Sequence, residues 1–296
     1  MALDTHRQTI PGLARLSRYV ALSALAVTFA VPLLWLVLAP TKSDGELESL
    51  PPLAPGSIDG LLTSWNNLMS FRDGQVLLWV GNTIAYSVGT VVIAVLIGVP
   101  AGYALAMYRF PGRRLLLLLT LIGMIMPTAA SVLPIYRELA LIGLVNTGWA
   151  VILPSAFFPF GVYLTFLHFQ ASLPTELVEA AKIDGASDLR VFLSLGVPLA
   201  RPAVALVAFF SFVASWNNYF LPYIMLFNDK VFNIQLGIGV LLSSAPVLSN
   251  TTGSTLPIHR PEAALAALLA IVPITIVFIA FQRVIGTNML GGSVKG

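Results

Sequence analysis

The chain contains no cysteine, which excludes disulfides, thiolate nucleophiles and cysteine-held metals at the outset. Charge is almost as scarce: Asp, Glu, Lys and Arg make up 10% of the 296 residues, against 57% hydrophobic. The formal excess of three positive charges is spread along the sequence, so no basic patch suited to nucleic acid stands out. Its three histidines, His6, His168 and His259, are scattered without metal-ligand spacing. No GxxxxGK[ST] loop is present to cradle nucleotide phosphates, and no GxSxG elbow or other recognisable catalytic set. These absences leave little room for a soluble enzyme.

What fills the chain instead is uncharged apolar sequence. Soluble cores rarely reach this hydrophobic fraction, and several uncharged runs exceed the roughly 20 residues that a helix needs to cross hydrocarbon. The expected class is an all-α polytopic membrane protein with six transmembrane helices. The spans are read at Tyr19–Ala39, within Gly74–Tyr108, Leu115 to about Val132, Trp149–Phe169, Pro202–Tyr223 and Ala263–Phe281. Residues 1–18 form an N-terminal segment, 19–285 the membrane domain and 286–296 a tail of small residues. The first run is about twice the length of a signal-peptide core, and Pro40 stands where cleavage would fall, so it reads as a retained span.

Six spans put both termini on one side, together with the basic turn Arg109–Arg114 and loop 171–201. That side holds eleven Lys and Arg, and the loops 40–73, 133–148 and 227–262 hold five. By the positive-inside rule the termini and loop 171–201 are cytoplasmic. The expected location is the cytoplasmic membrane of a prokaryote, in contact with lipid.

Well inside the six spans there is no Asp, Glu, Lys or Arg. Ion-driven carriers usually need an intramembrane acid, so ion coupling is disfavoured, although backbone carbonyls can also bind sodium. Prolines 32, 100, 127, 154, 159 and 273 fall in the spans, where they kink helices and leave cavities; proline is also common in membrane helices without such a role. Gly98–Gly102 is a GxxxG suited to close helix packing. Asn82, Trp216, Asn217, Asn218 and Tyr219 are the better lead to a path, because amides and aromatic faces together suit a neutral, hydroxyl-rich solute. The same residues can instead tie helices together or form the interfacial belt. The sequence leaves both open.

The one conspicuously charged segment is Glu179–Pro198. Pro174 suits a helix start, Glu176 and Glu179 favour its dipole, and Ala180 and Ala181 allow close approach of another surface. Gly185, directly after Asp184, is placed to end that helix left-handed, and Ser187 or Asp188 to cap the next. Leu177, Val178, Ile183, Leu189, Val191 and Phe192 are expected to supply apolar contacts. Ordinary helix connections run about two to eight residues; this one spans about thirty. Its reading is a helix-turn-helix that docks a soluble partner.

Here a family resemblance appears. Glu179-Ala180-Ala181, three residues, Gly185, nine residues and Leu195-Gly196-Val197-Pro198 resemble the EAA motif of ABC-importer permeases, with Leu195 and Val197 as conservative departures. Arg109-Phe110-Pro111-Gly112, Gly143–Thr147 and the ending Gly291–Gly296 are similar to the maltose-type (MetI/MalG-like) sugar permeases. The resemblance covers about residues 15–296. It implies a non-enzymatic transport subunit paired with a second homologous permease, two copies of a cytoplasmic ATPase and an extracytoplasmic substrate-binding protein. ATP and magnesium would then sit on the ATPase, with no cofactor or metal in this chain, and the solute would be a carbohydrate. Glu179, Ala180, Ala181, Asp184, Gly185 and Pro198 would couple to the ATPase, and Ser293, Val294, Lys295 and Gly296 would reach it from the tail. Loop 227–262 would meet the binding protein. A permease for a glycerol phosphodiester or polyamine, an ion-coupled secondary transporter and a membrane-embedded enzyme are the rivals.

Overall fold

The computed structural model describes residues 12–244 and 258–289, so the tail residues Ser293–Gly296 and part of loop 227–262 lie outside the described residues. All regular structure among the described residues is helical. In chain order the helices are α1 (Gly12–Leu38), α2 (Asp44–Ser49), α3 (Ile58–Ser70), α4 (Gln75–Met107) and α5 (Arg113–Ile125). There follow α6 (Thr128–Leu141), α7 (Trp149–Ala156), α8 (Pro159–Ser172), α9 (Thr175–Ile183) and α10 (Asp188–Val191). Last come α11 (Val197–Leu199), α12 (Arg201–Trp216), α13 (Phe220–Met225), α14 (Ile234–Ser244) and α15 (Arg260–Met289). Four helical stretches are long and apolar enough to cross a membrane: Leu16–Thr41, Ile58–Met107, Trp149–Ser172 and Arg260–Gln282. The number rises to six if each of two bent helix pairs counts as one span.

The bent pairs differ from the straight spans expected of the sequence. The third expected span, to about Val132, ends as a helix at Ile125 and turns by 107° into α6. Pro127 lacks the N–H that would continue the helix, and it pushes Met126 into an extended conformation with ψ 123°. Pro159 does the same within the fourth span, where Phe157 is extended and Phe158 is non-helical (ψ 77°) between α7 and α8. Pro32, Pro100, Pro154 and Pro273 stay inside their helices. The fifth span starts at a 76° bend before Arg201 and breaks again at Asn217–Tyr219.

Contacts divide the chain into two units. One comprises the described residues up to Ser70 and those from 258 to Leu268. In it α1 is exposed from Leu16 to Trp35. Beyond it the chain is tied down by polar groups. Ser43 and Glu46 form a reciprocal capping box that starts α2, and the hydrogen bonds from Ser43 hold the Glu46 carboxyl below its ordinary range. The enclosed Lys42 donates to the carbonyls of Pro51 and Pro52 at 3.1 and 3.2 Å. At the start of α15, Arg260 pairs with Asp44 at 2.8 Å and Glu48 at 2.6 Å. Buried Glu262 accepts from Asn67 Nδ2 and from the His259 N–H, both at 2.8 Å.

The second unit runs over Phe71–Ser243 and the described residues from Leu269 on, and α4 is its axis. This helix packs along α7, α8 and α12. Its buried positions include Val76, Trp79, Thr83, Tyr86, Thr90, Ala94, Gly98, Gly102 and Tyr103, a stripe at helical spacing. The GxxxG lies in that stripe. A Cβ on Gly102 would collide with the Thr165 side chain and the Phe166 backbone of α8, and the Thr165 hydroxyl donates to the Gly98 carbonyl at 3.2 Å. Small residues here set how near α8 can come. Trp216 donates its indole N–H to the Ala270 carbonyl at 2.9 Å, and Phe209 stacks on Phe281 with ring centres 3.9 Å apart.

Two outcomes follow from these contacts. Gly102→Val should lower thermal stability in detergent by on the order of 1–3 kcal/mol through overpacking, while Gly81→Ala on the same helix, where nothing lies near the added carbon, should not. The Arg260 hydrogen bond holds the Asp44 carboxyl below its ordinary value of 3.8. That contribution is therefore complete above 3.8 and lost as pH falls through the lower folded value. Thermal unfolding should separate wild type from Arg260→Gln near neutral pH, and the gap should close in acid.

Candidate functional site

Local chemistry builds the charged turn. Thr175–Ile183 coils after Pro174, whose extended backbone (ψ 136°) makes it the cap rather than the first helical residue. Gly185 has φ +85°, which glycine adopts without steric cost. The N–H of Ala186 reaches the Ala181 carbonyl and that of Gly185 the Lys182 carbonyl, each at 3.0 Å, the paired closure of a Schellman C-cap. Ser187 then caps α10, its hydroxyl accepting from the Arg190 N–H. A wide π turn at Phe192–Gly196 and the short α11, containing Pro198, lead back to α12.

Underneath, the turn stands on aromatic rings. Tyr103 of α4, 3% exposed, meets Phe169 at 5.2 Å, Phe192 at 4.9 Å and Tyr108 at 5.8 Å between ring centres. Val99, Leu173, Val178, Val191 and Ala200 complete this cluster. Gly196 leaves room for the Tyr103 ring, which a Cβ would meet at 3.3 Å. On the rim, Lys182 bridges to Asp188 at 2.7 Å and lies over the Tyr108 ring at 5.2 Å. The pairing raises the Lys182 pKa and lowers that of Asp188. Burial, then the neighbouring Tyr103 hydroxyl and Asp188, pushes the Tyr108 phenol up.

The outer surface of the turn carries Glu179, Ala180, Asp184, Gly185 and Pro198, all exposed, with Ala181 half-buried. Of the six residues expected to supply apolar contacts, Val178 and Val191 are buried and Phe192 is half-buried. Leu177, Ile183 and Leu189 instead face outward, Ile183 being 86% exposed. One turn thus presents acids, small residues and large apolar side chains together. That mixture suits a protein surface better than water.

The far end of α4 is arranged differently. Trp79, Asn82, Thr83 and Tyr86 share one helix face, and all four bond to the main chain of residues 229–234. Trp79 Nε1 donates to the Asp229 carbonyl at 2.7 Å, Asn82 Nδ2 to those of Lys230 and Phe232 at 2.9 Å, and the Tyr86 hydroxyl to that of Val231 at 2.8 Å. Thr83 Oγ1 accepts from the Ile234 N–H at 2.7 Å. Asn146, at φ +62°, accepts from the N–H groups of Phe227 and Asn228. Before α4, Arg72 and Asp73 are left-handed at φ 47° and 58°, strained for non-glycine residues by about 1–3 kcal/mol each. Arg72 pairs with Asp229 at 2.8 Å.

This geometry separates the five residues first read as a path. Asn82 is spent on the 229–234 main chain, and Trp216, 1% exposed, on Ala270. Asn218 Oδ1 accepts from the Leu221 N–H of α13 and its amide donates to Ser155, while its carbonyl receives Asn233 Nδ2. Asn217 and Tyr219 are exposed, Asn217 turned back on the Val213 carbonyl and Tyr219 stacked beside Tyr223. Trp79, Tyr86 and Tyr103 carry the two ends of α4 and were not singled out in the sequence. The signal for the ladder was there, in polar and aromatic residues at 79, 82, 83 and 86 of an uncharged run.

Residues 94–290, which include both the aromatic seat and the Glu179 turn, match the family model described as the binding-protein-dependent transport system inner membrane component. The chain belongs to this family. It is 35% identical to the arabinooligosaccharides transport system permease protein AraQ of Halalkalibacterium halodurans, over 79% of this chain and 80% of that one. It is 30% identical to the diacetylchitobiose uptake system permease protein NgcG of Streptomyces coelicolor, covering 91% and 85%. With the trehalose transport system permease protein SugB of Mycobacterium tuberculosis the identity is 32%, covering 96% and 100%. A crystal structure of a bacterial ABC transporter that imports the acidic polysaccharide alginate superposes with TM-score 0.79 at 23% identity, over 92% of this chain and 96% of that one. The fold is therefore that of an ABC importer permease, with at least four candidate membrane spans. Such a subunit is not itself an enzyme, and its family implies a partner ATPase, a substrate-binding protein and a second permease.

Tyr103 gives a direct check on the seat of the turn. Its buried hydroxyl lies beside the Tyr108 phenol without a well-formed hydrogen bond, so Tyr103→Phe should cost little. Tyr103→Ala should cost about 3–5 kcal/mol, read as a lower Tm in detergent and faster proteolysis within residues 175–199.

Proposed function

We propose that this chain is one of two permease subunits of an importer that moves a neutral carbohydrate across the cytoplasmic membrane of a prokaryote. On this reading the bent pairs count as spans, giving six, and both termini and the Glu179 turn are cytoplasmic. Two copies of a soluble ATPase bind and hydrolyse ATP with magnesium. The turn, through Glu179, Ala180, Ala181, Asp184, Gly185 and Pro198, sits in a cleft of one ATPase, and Ser293–Gly296 reach the ATPase from the tail. Closure of the ATPase pair pushes on α9 and α10, and the aromatic seat passes that push to α4 and α8. Carbohydrate arrives from a binding protein that docks outside, in part on loop 227–262.

The observation that carries the coupling role is the outward face of the turn. Acids, small residues and exposed Leu177, Ile183 and Leu189 lie on a segment firmly seated below and unpartnered above. Support for a carbohydrate comes from the arabinooligosaccharide, diacetylchitobiose and trehalose systems in which similar chains serve. The eleven-to-five distribution of Lys and Arg supports the orientation.

Glu179→Lys and Gly185→Leu should each lower uptake at least about tenfold, the equivalent of about 1.4 kcal/mol of lost contact, while the chain still inserts. Co-purified ATPase should fall in parallel. Normal uptake by both variants with ATPase attached would sink the coupling role. Uptake that collapses on discharging the proton gradient, in a chain that purifies free of any ATPase, would instead make it an ion-coupled carrier.

A further inference from the structure

Opposite the coupling turn, at the other end of α4, a cavity of about 590 Å³ opens between Arg72, Phe227, Asn228, Asp229, Phe232 and Val240. Its size falls within the range of about 300–1,000 Å³ typical of small-molecule clefts. We propose that this cavity is a saccharide subsite on the permease itself, where a neutral sugar rests at the outer mouth before entering the path. The inference rests on the carbohydrate reading and adds to it a place and a set of residues.

Three observations carry it. First, the floor is rigid before any ligand arrives. Trp79, Asn82, Thr83 and Tyr86 fix the main chain of 229–234, and Asn146 fixes the N–H groups of 227 and 228. Fixing the polar groups beforehand spares the ordering cost of binding. Second, backbone strain is held at the rim. Arg72 and Asp73 are left-handed, followed by Gly74 at φ +80°, and the first of these delivers its guanidinium to Asp229. Strain of this kind persists only where the surroundings over-determine it, and it gathers at ligand sites.

Third, the lining has the chemistry of a hydroxyl-rich, uncharged solute. Arg72 and Asp229 neutralise each other, yet their side chains stay 44% and 30% exposed. The guanidinium keeps donors, and the carboxylate keeps lone pairs, for the paired hydroxyls of a sugar ring. Asn228 spends its carbonyl oxygen on the Lys230 N–H, leaving its amide donors unspent among the described residues. Phe227, 61% exposed, offers a ring face on which the apolar side of a sugar can stack. A phosphodiester at the arginine would meet the aspartate charge beside it, and a polyamine at the aspartate would meet the arginine charge. The net-neutral pair favours an uncharged solute over either.

The test uses the complete importer in liposomes, with its binding protein and ATPase, and five probes: trehalose, lactose, diacetylchitobiose, arabinotriose and maltotriose. Uptake per ATP hydrolysed identifies the sugar that is moved. Saturation-transfer NMR on the permease complex without binding protein then reads direct contact with that sugar. Phe227→Ala should weaken the NMR signal about fivefold, the scale of one lost ring stack, and should lower sugar moved per ATP. The double variant Arg72→Ala/Asp229→Ala removes the pair without stranding a charge and should do the same, with signals normalised to complex recovered by its co-purified ATPase. A transported sugar that gives no signal in wild type, or variants matching wild type in both readouts, overturns this inference alone. Weaker capture of the binding protein with an unchanged sugar signal also overturns it, making the cavity a protein-docking surface. Failure of wild type to move any of the five overturns the carbohydrate reading and this inference together.

Discussion

Helix α4 has to keep a row of polar side chains in an apolar surrounding, where an unpaired donor or acceptor costs free energy that water cannot return. Trp79, Asn82, Thr83, Tyr86 and Thr90 meet that demand by bonding across to other segments. Much else in the second unit follows from this. The 229–234 segment has one place to lie, Ser215 of α12 is held at Thr90, and α14 begins where Thr83 receives Ile234. Gly237 lets α14 come down directly onto the Trp79 ring, where any Cβ would collide.

The two ends of α4 are secured by different forces. At 79–86 the contacts are directional hydrogen bonds to main chain, which hold register and angle. Around Tyr103 they are ring and aliphatic contacts, individually weak and tolerant of small slides. On the proposed function, the turn would receive thrust from a partner, and such a segment needs a seat that can shift without breaking a discrete bond. A segment that must keep its shape needs the opposite. Both kinds of anchorage are found on one helix of 33 residues, with no Asp, Glu, Lys, Arg or His between Gln75 and Met107.

What could be read from the sequence was what local chemistry dictates. Gly185 as the left-handed cap, Ser187 as the next cap and Gly112 in the basic turn all stand where turn chemistry puts them, since the determinant and its effect lie within a few residues. Pro127 and Pro159 announce breaks for the same reason, but not the 107° swing at one of them, which depends on what packs beside it. The partners of Asn82 and Tyr86 lie some 145–150 residues away, and that of Trp216 lies 54 away. Nothing local distinguishes an amide spent on a carbonyl from one that awaits a solute. Leu177, Ile183 and Leu189 are expected to supply apolar contacts, and the sequence does not say in which direction. They face out because Val178 and Val191 already fill the space over Tyr103.

The ladder from α4 ends on carbonyl and amide groups of the main chain, not on the side chains of residues 229–234. The shape of that segment is therefore written on a different helix from the one that displays its side chains. Substitution at Lys230 or Val231 changes what the segment presents without altering the scaffold beneath, whereas substitution at Trp79 or Tyr86 changes the scaffold itself. Such a division of labour lets a lineage of permeases diversify the surface of this segment by single replacements, each tested on a frame that is already built.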